Sequence, residues 1–213
     1  RGTKSGRAPS DWSEVWYFDV NIPPSPPSDL IALANGTTVN LTWKDNSTNE
    51  QGFKIERKTG AGGTYSEIAK VGANVTTYPD TGVSTNQVYY YRVRAYNGSD
   101  NSDYSNEYYA TTMTAPSNLT ATAVSSSQIN LSWADNAVGE TGFKIERKTG
   151  VSGSWSEIAD LPANSLSYSN TGLSANTTYY YRLRAYANST TPTPHFSAYS
   201  NEASATTKSG FAK

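Results

Sequence analysis

Residues 43–96 return, lightly edited, at 133–186: 32 of the 54 aligned positions are identical, and the run Gly-Phe-Lys-Ile-Glu-Arg-Lys-Thr-Gly stands unchanged at 52–60 and 142–150. A segment written twice has to fold twice, so the chain is read one repeat at a time. The period of about ninety residues is too long for a solenoid unit and suits a small domain that closes its own core. The repeat therefore predicts two domains in 213 residues.

Composition narrows the class. The 16 tyrosines and 54 serines plus threonines, with 16 glycines, 10 prolines and a single methionine, are what pleated, turn-rich chains contain. Formal charge is −1, from 17 basic and 18 acidic side chains, which provides no field to gather phosphate backbones. Nucleic acid is not an expected partner. With no cysteine and one histidine, His195, neither a disulfide framework nor a thiolate metal site can form, and no nucleophile has a histidine base beside it. We expect no cofactor, no metal and no catalysis. No apolar run is long enough to span a bilayer. Arg1 is not the start of a signal segment and begins in mid-pattern, which suggests an excerpt from a longer protein.

Within one repeat the period is two. Val39, Leu41 and Trp43 alternate with Asn40 and Thr42; Phe53 and Ile55 alternate with Lys54 and Glu56; Tyr89, Tyr91, Val93 and Ala95 alternate with Tyr90, Arg92, Arg94 and Tyr96. Each run is a half-buried strand with one apolar face. Clusters such as 45–49, 60–63 and 79–82 supply the turns. No stretch carries the 3.6-residue period of an amphipathic helix. The second copy repeats the scheme with Ile129, Leu131 and Trp133, with Phe143 and Ile145, and with Tyr179, Tyr181, Leu183 and Ala185. The predicted core is Trp43, Phe53, Ile55, Tyr89 and Tyr91 in the first copy and Trp133, Phe143, Ile145, Tyr179 and Tyr181 in the second. About seven short strands per repeat is the pattern of a two-sheet antiparallel sandwich, an all-β fold.

At these residues the chain resembles the fibronectin type III family. The resemblance rests on a proline-rich lead-in (Pro26-Pro27 and Pro116), a tryptophan on the second strand (Trp43, Trp133) and an aromatic-x-Ile third strand. It rests also on the spacing Val83 to Tyr89 and Leu173 to Tyr179, and on a closing strand ending in Thr-Thr at 111–112 and 206–207. It implies two immunoglobulin-like sandwiches in tandem, over 23–113 and 114–208, with 209–213 as a tail. It also implies that Tyr89 and Tyr179 are corner tyrosines, hydroxyl bonded back to nearby backbone. The Cys-free style is similar to modules of prokaryotic secreted enzymes and surface proteins. An Arg-Gly-Asp tripeptide, which some family members carry, is present in neither copy.

Residues 1–22 look like the last loop and strand of a preceding module: Trp16, Phe18 and Val20 alternate after Ser10-Asp11-Trp12-Ser13-Glu14, in parallel with 103–107 and 198–202. Such an orphan strand either frays at a cut boundary or pairs, through residues 9–20 and their apolar Trp12, Trp16, Phe18 and Val20, with the sheet edge of a neighbouring copy. Between the repeats, Thr112-Met113-Thr114-Ala115-Pro116 leaves a short, stiff joint. We expect an end-to-end rod with modules on the order of 30–40 Å long.

The exposed faces offer one candidate binding surface, Tyr90, Arg92, Arg94 and Tyr96 with Tyr180, Arg182, Arg184, Tyr186 and Trp155. Tyrosine, tryptophan and arginine anchor sugar rings and protein partners. The same residues beside Lys54, Glu56 and Lys58, or Lys144, Glu146 and Lys148, equally form a cross-strand ladder that stiffens a solvated sheet. Asp45, Asn46 and Glu50, with Asp135, Asn136 and Glu140, could be oxygen ligands for calcium, but their spacing fits turn capping better. The copies differ most in the loop at 188–197, five residues longer than its counterpart, where His195 and Phe196 could touch a ligand, while a solvated loop or one lying between domains is the more common arrangement. Nine Asn-x-Ser/Thr acceptors suit a glycosylated surface protein and also ordinary strand spacing.

These features predict a non-catalytic extracellular module, secreted or on a cell surface, that spaces and presents other domains of a larger protein. Two alternatives stay open: an accessory module that binds polysaccharide, and a self-assembling subunit that uses residues 9–20 for strand addition.

Overall fold

The computed structural model describes residues 22–98, 100–188 and 194–210. The first half contains β1 (Ser28–Asn35), β2 (Thr38–Lys44), β3 (Gly52–Thr59), β4 (Ser66–Gly72), β5 (Thr77–Asp80), β6 (Gln87–Asn97), β7 (Asp100–Asn101) and β8 (Tyr108–Thr112). The second contains β9 (Ser117–Ala123), β10 (Gln128–Ala134), β11 (Gly142–Thr149), β12 (Ser156–Pro162), β13 (Ser167–Thr171), β14 (Thr178–Ala187), β15 (His195–Phe196) and β16 (Ala203–Thr206). Each half is two antiparallel sheets: β1-β2-β5 faces β4-β3-β6-β8, and β9-β10-β13 faces β12-β11-β14-β16.

The period-two runs become these strands because burial follows the pleat. Along β6 the buried residues are Tyr89, Tyr91, Val93 and Ala95, and along β14 they are Tyr179, Tyr181, Leu183, Ala185 and Ala187. Trp43 and Trp133 are 5% and 6% exposed and pack against Phe53 and Phe143, with ring centroids 5.6 and 6.0 Å apart. Ile55 and Ile145 complete the two separate cores. Met113, just past β8, is fully buried in the second core and so ties the linker to it.

The Tyr89 and Tyr179 hydroxyls accept the backbone N–H of Ser84 at 2.9 Å and of Ser174 at 3.0 Å. Each closes the corner before its strand, as the family resemblance implies. Gly52 and Gly142 open the unchanged run for a steric reason. A Cβ there would lie 2.0 Å from the Val71 oxygen and 2.1 Å from the Leu161 oxygen, so only a residue without one lets the neighbouring strand close in.

The two sandwiches meet through the long loop of the second. β15 pairs antiparallel with β14 and, at Asn35 and Phe196, parallel with β1, so one eight-stranded sheet runs across both modules. The linker is held on both sides. The Thr112 hydroxyl donates to the Ser84 and Gln87 carbonyls, Asn86 Oδ1 accepts the Thr114 N–H at 2.9 Å, and Asn86 Nδ2 reaches the Asn136 carbonyl at 3.3 Å.

Candidate functional site

The register β3–β6 sets Glu56 opposite Arg92, Lys54 opposite Arg94, Lys58 opposite Tyr90 and Gly52 opposite Tyr96; β11–β14 repeats it with Glu146, Lys144 and Lys148. All of these lie on the sheet face turned away from the core, because their neighbours in sequence face it. The loops before β8 and β16 then fold back over the sheet and lay Tyr104 and Tyr199 between paired guanidinium groups. In the first module Lys58, Tyr65, Arg92, Tyr104 and Arg94 stack in that order, with cation-to-ring distances of 4.7, 3.9, 3.7 and 4.8 Å. In the second, Lys148, Trp155, Arg182, Tyr199, Arg184 and Phe196 stack at 4.7, 4.4, 3.9, 4.8 and 3.7 Å. Each such contact contributes about 0.5–1 kcal/mol at an exposed site and more when water is excluded.

A carboxylate sits under each stack, buried in the first module and half-buried in the second. Glu56, 6% exposed, accepts from Arg92 at 2.6 Å, Arg94 at 3.1 Å and the Tyr104 hydroxyl at 2.8 Å. Glu146 accepts two bonds from Arg182, at 2.8 and 2.6 Å, and one from the Tyr199 hydroxyl at 2.6 Å. Burial pushes the Glu146 carboxyl up, but the Tyr199 and Arg182 bonds outweigh it and hold the group below the usual carboxylate range. The remaining surface rings are covered by lysines: Lys54 over Tyr96, Lys58 over Tyr90, Lys144 over Tyr186 and Lys148 over Tyr180, at 4.9 to 5.3 Å.

Tyr104 and Tyr199 are the members that strand periodicity misses, since both lie in loops. Their signal is the twice-written Tyr-Ser-Asn-Glu at 104–107 and 199–202. The flanking residues carry structure. The Ser105 and Ser200 hydroxyls accept the N–H of Val93 and Leu183, and the Asn106 and Asn201 amides bond both backbone groups of Leu30 and Leu119, standing in for a strand neighbour.

His195 and Phe196 lie at the joint between the modules. His195 is 1% exposed, and its Nδ1 accepts the Thr111 N–H at 2.9 Å, on the side of β8 that faces away from β6. The Tyr109 ring meets the imidazole edge-on with centroids 5.8 Å apart. Nε2 is buried with no partner among the described residues, and burial pushes the imidazole pKa down. The Phe196 carbonyl accepts the Gly36 N–H at 3.5 Å. Gly36 adopts φ +62°, and a Cβ on it would lie 3.3 Å from the Ala198 Cβ, so the turn between β1 and β2 is shaped to admit the loop.

The oxygen-rich loops work as turn staples. Asp45 and Asp135 accept the N–H two residues on, Asn46 and Asn136 bond to Pro26 and Ala115 carbonyls, and Glu50 and Glu140 accept from the Asn74 and Asn164 backbone. Among the described residues no group of three or more acidic or histidine side chains could hold a metal ion. No helix there is long and apolar enough to cross a membrane. The strand-addition segment with Trp12, Trp16, Phe18 and Val20 lies outside the described residues.

Residues 114–200 match the family model described as fibronectin type III domain. The chain is 28% identical over 184 residues to Titin of Drosophila melanogaster, 40% over 97 residues to an alpha-amylase of Niallia circulans and 28% over 184 residues to Exoglucanase B of Cellulomonas fimi. Those stretches cover 79%, 45% and 78% of this chain but only 1%, 7% and 15% of the relatives. Among solved structures, the chicken CNTN1 FN1-FN3 domains superpose with a TM-score of 0.50 at 17% identity, covering 87% of this chain and 68% of that one. The module spanning 114–200 is thus a fibronectin type III domain, and the first half repeats its sequence at 32 of 54 aligned positions and its two-sheet fold.

Proposed function

We propose that this pair is a non-catalytic spacer within a larger secreted or cell-surface protein, of the style found in prokaryotic extracellular proteins, and that it holds its flanking domains at a fixed distance and angle. The observation that carries this reading is the joint. A flexible tether needs only the linker, whereas here a second connection, from His195 and Phe196 to Thr111 and Gly36, spans the two modules. Two connections some distance apart resist both bending and twisting.

The absence of cysteine makes spin labelling clean. With labels at Thr48→Cys and Ser127→Cys, at opposite ends of the rod, double electron–electron resonance at pH 7.5 is expected to give one narrow distance distribution. His195→Ala with Phe196→Ala is expected to broaden it. Acid should act in the same direction. The imidazole pKa is lowered in the docked state and returns to about 6.5 when the loop is free, so the free state takes up the proton first. The histidine's contribution to docking is fully present above about pH 6.5 and falls away below it, by up to about 1.4 kcal/mol per pH unit. A broad distribution at pH 7.5, or one indifferent to the double substitution, would exclude the rigid spacer.

A second reading, an accessory module that holds polysaccharide beside an enzyme, is supported by the likeness to parts of an alpha-amylase and an exoglucanase. Retention on insoluble glucan that is lost with Tyr90→Ala plus Tyr180→Ala supports it, and no retention on any polysaccharide excludes it.

A further inference from the structure

The two stacks differ at one arginine. In the first module Arg94 completes its ion pair, 3.1 Å from Glu56 Oε1. In the second, Glu146 is bonded only by Arg182 and Tyr199, and Arg184 makes no hydrogen bond or ion pair among the described residues. The cause is the residue across the β14–β15 pair. Where Asn101 stands opposite Tyr96 and accepts from Lys54 at 2.7 Å, Phe196 stands opposite Tyr186, and the Arg184 guanidinium lies 3.7 Å over its ring. Stacking on Phe196 accompanies its departure from the carboxylate.

The arginine now lines a cleft of about 320 Å³ between the modules, with Leu33, Ala34, Asn35, Asn40, Pro194 and Phe196. No lining residue is acidic. A guanidinium does not shed its proton, so a fixed positive charge, half withdrawn from water and with its Nε already buried unpaired, faces a space of ligand size. Such a group binds a carboxylate through two parallel N–H bonds. Asn35, at the end of β1, and Asn40, within β2, are both exposed amides able to donate to and accept from hydroxyl groups, while Leu33 and the ring of Phe196 give an apolar wall for a C–H face.

We propose that this cleft is a binding site for a carboxylate-bearing pyranose, a hexuronate unit of an acidic polysaccharide, with Arg184 on the carboxylate and Asn40 on a hydroxyl. Both modules build the site, because Asn35 and Asn40 come from the first and Arg184 and Phe196 from the second. Arg94 gives the contrast, the same residue in the same register but engaged with Glu56.

The test is a nuclear magnetic resonance titration of the full chain with trigalacturonate, with maltotriose as the neutral match and an acetylated tripeptide as a carboxylate without a sugar. Trigalacturonate is expected to produce saturable shifts of the Arg184 Nε–H and Asn40 side-chain amide signals in the millimolar range. Arg184→Gln should weaken binding about tenfold or more, the loss of about 1.4 kcal/mol or more. Arg184→Lys, which keeps the charge but not the planar fork, should also weaken it, and Asn40→Ala, on an exposed residue, should do so several-fold with the fold intact. Lys70→Gln, on exposed β4 and outside both the stacks and the cleft, should leave it unchanged. Equal binding of maltotriose overturns the carboxylate, and equal binding of the tripeptide overturns the pyranose. Absence of saturable shifts, or full binding by both Arg184→Gln and Asn40→Ala, overturns the site. None of these outcomes bears on the spin-label distance, so this inference and the spacer reading fail separately.

Discussion

Trp133→Ala is expected to leave the second module close to unfolded while the first keeps its fold. The indole is almost fully buried and packs on Phe143 at the centre of a small core. Its removal costs about 3–5 kcal/mol in lost transfer energy and residual cavity, against a whole-domain stability of about 5–15 kcal/mol. The two cores share no residue, so urea unfolding of the variant should split into two transitions, the lower one belonging to residues 114–208. Trp133→Phe should cost far less. The indole N–H has no partner among the described residues, so phenylalanine removes an unsatisfied donor along with part of the ring. A single transition for Trp133→Ala, or equal costs for both substitutions, would contradict this view of the core.

Asp80→Ala should destabilise the first module by a similar amount, and for a different reason. Asp80 is 3% exposed and takes three bonds: Arg57 at 2.7 Å, the Tyr91 hydroxyl at 2.9 Å and the Gly82 N–H at 2.9 Å. Removing it strands a cation and a buried phenol, and breaking such a node costs about 3–5 kcal/mol. The second module places Asn170 at the same point, with Arg147 and the Tyr181 hydroxyl both at 3.0 Å. A neutral amide therefore satisfies the same two donors, and Asp80→Asn should cost only about 1 kcal/mol. Urea midpoints for the two variants decide the matter: if alanine is no worse than asparagine, Asp80 is not the acceptor that holds this corner.

The fold was legible because burial in a sandwich follows a period of two, and Tyr89-x-Tyr91-x-Val93-x-Ala95 displays that period without interruption. The outer strip was legible in the same way, as the residues in between. What they do there was open between binding and mutual stacking, since the outcome turns on Tyr104 and Tyr199, which reach the strip from loops. The joint was harder still. The sequence left His195 and Phe196 open between ligand contact, solvent and a position between domains, and His195 is buried because Thr111, 84 positions earlier, stands opposite it. No local pattern encodes a contact of that separation. Arg94 and Arg184 are indistinguishable in sequence, and they part only because Asn101 and Phe196 occupy the same cross-strand position.

We propose that the loop carrying His195 and Phe196 locks the two modules into one body. Residual dipolar couplings of the backbone amides, measured at pH 7.5, test it most directly. A locked pair predicts that couplings from 28–112 and from 117–206 fit one common alignment tensor, and that His195→Ala with Phe196→Ala separates them into two. Two distinct tensors in the unaltered chain would contradict the lock.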